Sequence, residues 1–190
     1  MSKVVRRSWI EELSLVAGEN DGYIRTEDMT HRNVSASWLS LLASKGRLEK
    51  IGHGLYRVPG WPISRLTPYK EAALWANRRA VIAGEAALDL WQLSDANPRK
   101  IDLIVDLKYK PRKTGGERYR LFQRSLAENE VTDFDGLRVL TPYAAIEDAT
   151  KKGVATKLIV RAIEVAQAQE LVTKRQAARL LVGLDGRESA

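Results

Sequence analysis

Asp106 and Lys108 stand two residues apart around Leu107, with Asp95 upstream of them. An acid followed by Asp-x-Lys is the pattern of a metal-dependent nuclease. There two carboxylates hold Mg²⁺ and the lysine orients the attacking water. On an extended strand Asp106 and Lys108 share one face, so the spacing suits that chemistry. The plainer reading makes Asp102, Asp106 and Lys108 the polar face of a half-exposed strand. Asp95 is then an ordinary turn residue in Ser-Asp-Ala-Asn-Pro.

Other catalytic chemistry is thinly supplied. There is no cysteine, which removes disulfides and thiolate-ligated zinc, and the two histidines, His31 and His53, are too few for a histidine-rich metal site. No serine or acid is placed by sequence to partner His31 as a general base. Glu85, Asp89 and Lys70 read as solvated helix residues. Trp38, Trp75 and Trp91 sit beside leucines at helical spacing, as core residues do. No cofactor is expected.

The stronger signal is cationic. Between Ser35 and Arg65 lie Lys45, Arg47, Lys50, Arg57 and Arg65 against one acid, Glu49. The chain of 190 residues carries a net charge of +7, which favours a polyanionic partner. A second basic stretch runs from Arg99 to Arg124 and includes Lys108, Lys110, Arg112, Lys113, Arg118 and Arg120. It meets nucleic acid or an acidic protein surface, or is simply a charged loop.

These cations need elements to hold them. Trp9, Ile10, Leu13, Val16 and Ala17 recur at helical spacing after Ser8, a cap. Tyr23-Ile24 is a short extended piece. Thr26 caps a short helix ending near His31 to Asn33, with Glu27 and Asp28 in its first turn. Ser35 caps a third helix striped by Trp38, Leu39 and Leu42, and Gly46 ends it. A strand Arg47 to Ile51, a turn at Gly52-His53-Gly54 and a strand Leu55 to Val58 follow. Three helices feeding a basic hairpin is the layout of a winged helix-turn-helix, with the hairpin as the wing and His53 at its tip.

Residues 1–60 are therefore expected to be a DNA-binding domain, 61–68 a proline-marked linker and 69–190 a second domain. In the second, helices are expected at Tyr69 to Asn77, at Glu85 to Leu93, about 153–169 and about 173–183, with the last residues frayed. Strands are expected at Lys100 to Lys108, Arg118 to Leu126 and Arg138 to Leu140, the last after a turn on Asp135-Gly136. Thr141 and Pro142 open another helix. The fold class is α+β: an N-terminal winged helix followed by a mixed α/β domain. No stretch has the ~18 apolar residues of a membrane span, and the start is no secretory signal, so a soluble, cytoplasmic protein is expected.

Two patches resemble the AbiEi-type antitoxins of type IV toxin–antitoxin systems, first met as abortive-infection loci. One is Gly22-Tyr23-Ile24 and Thr26, then Val34-Ser35, Leu39, Leu42, Gly46, Leu48, Ile51, Gly54 and Tyr56. It looks like that family's N-terminal winged helix. The other is Val81-Ile82-Ala83-Gly84, Ala86-Ala87-Leu88 and Leu93, later Arg138-Val139-Leu140-Thr141-Pro142 and Asp148, similar to its C-terminal domain. The resemblance implies a non-enzymatic protein that binds double-stranded DNA at its own promoter and represses its operon. It also implies a second domain that counters a cognate toxin, usually a nucleotidyltransferase. The alternatives are a Mg²⁺-dependent nuclease on Asp95, Asp106 and Lys108, and a DNA-binding regulator with no toxin partner.

One departure bears on how DNA is read. The third helix presents Ala36, Ser37, Ser40, Leu41 and Ser44, with none of the Arg, Asn or Gln that read base edges in pairs of hydrogen bonds. His31, Arg32 and Asn33, in the turn before it, are the residues placed to reach bases instead. Ser35, Ser37, Ser40 and Lys45 are also expected to contact DNA, with Arg47, Lys50, His53 and Arg57 near phosphates, so affinity comes mostly from the backbone.

Overall fold

The computed structural model describes residues 8–95, 98–109 and 115–188. The chain is α+β and divides into two compact units. The first runs to Trp75 and takes in Gly115 and Gly116; the second takes up at Ala76.

The first unit starts with α1, Trp9–Glu19. Its Ser8 cap and Glu11 form a reciprocal capping box, satisfying two amides that the helix start leaves open. Then follow β1 (Tyr23–Arg25), α2 (Thr26–Thr30), α3 (Ala36–Ser44), β2 (Glu49–Gly52), β3 (Leu55–Arg57) and α4 (Thr67–Trp75). The strands form an antiparallel sheet in the order β1-β3-β2, with Ile24 opposite Tyr56 and Lys50 opposite Tyr56 on the other side. Val16, Ala17, Ile24, Met29, Leu39 and Leu42 close one apolar core between helices and sheet. Each large side chain buried there contributes roughly 1.5–3 kcal/mol.

Two expectations shift in this unit. Thr26 does not cap α2: it lies inside the helix, and its backbone N–H donates to Gly54 O at 2.9 Å. The hairpin thus satisfies one of the amides that the helix start leaves open. The strand expected from Arg47 starts at Glu49, because Gly46 and Arg47 close α3. Gly46 takes φ +68°, its N–H donates to Ala43 O, and the Arg47 N–H donates to Leu42 O. That pair of bonds is the Schellman stop.

The second unit holds β4 (Ala80–Ala83), α5 (Gly84–Leu90), β5 (Ile101–Val105) and β6 (Tyr119–Gln123), then β7 (Val131–Phe134), β8 (Leu137–Leu140), α6 (Pro142–Lys151), α7 (Thr156–Ala168) and α8 (Lys174–Glu188). Its mixed five-stranded sheet has the order β6-β5-β4-β8-β7. β5 is parallel to β6 and antiparallel to β4, and β4 is parallel to β8. Asp135 and Gly136, at φ +52° and +77°, make the expected tight hairpin between β7 and β8. Helices α6, α7 and α8 pack on one another, and α5 packs on α6.

Here too the sequence reading needs correction. β5 ends at Val105 rather than Lys108, and all five of its residues are buried. Lying between β4 and β6, it has no solvent face, so Asp102 is enclosed at 1% exposure instead of lining a polar face. Thr141 precedes Pro142 without capping α6 through its side chain. The tail is not frayed where expected: α8 continues past Gly183, because Ala177, Leu180 and Leu184 carry its buried stripe onward.

Candidate nucleic-acid interface

In the first unit α3 presents an exposed face of Ser35, Ala36, Ser37, Ser40, Leu41 and Ser44. Its start is fixed by Ser35, whose Oγ accepts the Trp38 N–H at 3.3 Å and lies 3.0 Å from Ser37 Oγ. Ser40 Oγ donates to Ala36 O at 3.2 Å and lies 3.2 Å from Tyr56 Oη, which ties α3 to the middle strand of the sheet. The face is small, hydroxyl-bearing and uncharged.

Exposed basic residues follow α3 in the chain. Lys45 and Arg47 follow α3, Lys50 lies on β2 and His53 in the turn, all exposed. Exposed ammonium and guanidinium groups can neutralise phosphates and release their counterions.

Arg32 and Arg57 are differently placed. Arg32 is half-buried against α1, with Nη1 at 2.8 Å from Glu12 and Nη2 at 3.2 Å from Glu19. The hydrogen bond to Glu12 holds its pKa above the ordinary arginine value. Asn33 beside it is exposed and takes φ +61° in the turn before α3. Arg57 is turned inward. Its Nη2 donates to Trp61 O at 2.7 Å, and its guanidinium carbon lies 5.7 Å from the centre of the Tyr23 ring. Its Nε is buried without an acceptor among the described residues.

Of the second basic stretch, Lys110, Arg112 and Lys113 lie outside the described residues. Lys108 and Arg118 are exposed. Arg120 and Arg124 are engaged internally. Arg120 Nε donates to Asp102 Oδ1 at 2.6 Å, and Arg124 Nη1 donates to Glu130 Oε1 at 2.7 Å. Asp102 is the hub of a network that the sequence reading missed. Its Oδ2 accepts from Lys152 Nζ at 3.1 Å, and Lys152 also reaches Asp148 Oδ2 at 2.8 Å. Asp148 in turn accepts the Gly84 N–H at 3.0 Å. The one available signal was an acid in the middle of the apolar run Ile101 to Val105.

The nuclease arrangement does not assemble on a strand. Lys108 lies in the turn after β5, and Asp106 Oδ1 accepts the Lys108 backbone N–H at 2.8 Å. Asp106 therefore shapes that turn, and the shared strand face of Asp106 and Lys108 is absent. Asp95 lines a separate polar cleft with Asp89, Ser94 and Arg161. Among the described residues, no three or more His, Cys, Asp or Glu are grouped to hold a cation. Nor is any helix long and apolar enough to cross a membrane.

Comparison with known proteins finds a family model that matches part of the first unit. Residues 11–59 match the model described as a transcriptional regulator, AbiEi antitoxin. No curated protein matches the sequence. Among solved structures, the RV2827C protein from Mycobacterium tuberculosis is similar in fold, with a TM-score of 0.52 at 15% identity. The match covers 93% of this chain and 82% of that one.

Proposed function

We propose that the chain is a DNA-binding antitoxin that represses its own promoter through a winged helix-turn-helix. In this reading α3 enters the major groove, and the β2–β3 hairpin is the wing that lies along the backbone. The observation that carries it is that Lys45, Arg47, Lys50 and His53 are all exposed in the stretch that directly follows the exposed face of α3, within the segment matched to antitoxin regulators.

The serine-rich face of α3 offers no bidentate base reader, so affinity comes mainly from phosphates and preference from DNA shape. The domain expected in residues 69–190, most of which forms the second unit, counters a cognate toxin of the nucleotidyltransferase type. Lys108 and Arg118, both exposed, are proposed for that contact; Lys110, Arg112 and Lys113 are proposed for it on sequence alone. The regulator acts in the cytoplasm without catalysis or cofactor. Co-expression with the product of a neighbouring nucleotidyltransferase gene tests the second role. Growth is restored by the wild-type chain and equally by Lys45→Ala/Lys50→Ala, which loses promoter repression. No protection by either chain defeats the antitoxin reading.

A further inference from the structure

We propose that the first unit carries a ligand site: an apolar cavity of about 350 Å³ that takes a small aromatic carboxylate, with Arg47 as its counter-ion. The cavity is walled by Trp9 and Leu13 of α1, Leu42 of α3, and Val58 and Trp61 beyond the hairpin, with Arg47 also lining it. Its size falls in the range of roughly 300–1,000 Å³ usual for small-molecule pockets. Trp9 and Ile10, at 39% and 56% exposure, leave apolar surface at the mouth.

The Trp61 wall is held in place. Gly22, at φ +84°, lies so close that a Cβ there would sit 2.3 Å from Trp61 Cγ. From the other side, Arg57 grips the Trp61 carbonyl. Two indoles favour a flat apolar body. Arg47 is exposed and makes no ion pair with a described residue. A neutral occupant would cover that guanidinium without giving it an acceptor, whereas a carboxylate accepts from its fork in two parallel bonds. The same charge disfavours two other occupants. The first residues of the chain would bring Lys3, Arg6 and Arg7 towards Arg47. A second copy packed symmetrically over the mouth would bring another Arg47.

The regulatory consequence rests on the proposed DNA-binding role. Arg47 is also one of the cations proposed above to meet DNA phosphates, so a bound carboxylate competes with DNA for it and loosens the complex.

The test is calorimetric titration of the full chain, without DNA, with naphthalene-2-carboxylate and with its neutral amide. Saturable one-to-one binding of the carboxylate is expected. Arg47→Gln weakens the carboxylate about tenfold, the loss of one charged hydrogen-bonded contact, and leaves the amide unchanged. Ser14→Trp, at the exposed rim, blocks both ligands. Leu13→Phe is a second filler that keeps the test intact if the first variant melts early. No saturable binding to the wild type, or unchanged binding to Arg47→Gln or to both fillers, overturns the site. So does a dimer broken by Ser14→Trp with no heat from the carboxylate, which would give the mouth to a second copy. In a separate arm the carboxylate releases promoter DNA from the wild type but not from Ser14→Trp; equal retention by both refutes the coupling. If the wild type binds no DNA, the calorimetry still reads the cavity, so the two readings fail independently.

Discussion

Gly84 shows how one residue type is dictated by a buried charge. It takes φ +57°, and a Cβ there would lie 2.5 Å from Asp102 Oδ2. Gly84→Ala therefore meets both backbone strain and the ion-paired carboxylate. It should lower stability by about 1–3 kcal/mol in urea unfolding. A second residue-scale prediction concerns pH. Glu130 accepts the Ala127 N–H at 2.9 Å and the Arg124 guanidinium at 2.7 Å, and these bonds hold its carboxyl below the usual carboxylate range. A depressed folded-state pKa adds stability above the unfolded value, and that stability is lost as pH falls through the folded one. Glu130→Gln should thus be less stable than wild type near neutrality, with the gap closing on acidification. A gap independent of pH would show that the carboxylate is not held in this way.

At the scale of elements, local rules were legible where one residue decides the outcome. Ser8, Ser35 and Gly46 mark helix ends in the structure as their types demand, and Asp135-Gly136 turns the hairpin. Ser35→Ala should cost about 1 kcal/mol, read by thermal unfolding, and loosen the start of α3. What was not legible depended on neighbours distant in sequence. Thr26 lies one position inside α2, its N–H taken by the Gly54 carbonyl. Asp102 became a buried hub because β4 and β6 enclose its strand and Lys152 arrives from just past the end of α6. Arg32 and Arg57 carry the residue type that meets DNA, yet nothing in their immediate sequence shows that Glu12, Glu19 and the Trp61 carbonyl are within reach. The length of α8 depends on Leu184, buried among its neighbours. Leu184→Ala should cost about 2–5 kcal/mol and speed amide exchange over the last turns of that helix.

For the whole molecule, the central claim is that phosphate contacts from the first unit hold DNA. Lys45, Arg47 and Lys50 are the exposed cations beside α3, whereas Arg32 and Arg57 are engaged within the unit. The contrast is measurable as salt dependence, because each phosphate contact adds about 0.9 to the slope of log K against log salt. The most direct measurement is fluorescence anisotropy of a labelled duplex from upstream of the chain's own gene, titrated across salt concentrations. It compares wild type with Lys45→Ala/Arg47→Ala/Lys50→Ala. The account predicts weaker binding by the triple variant and a slope shallower by about 0.9 for each contact removed, with the fold intact by circular dichroism. A folded triple variant with wild-type affinity and wild-type slope would contradict it.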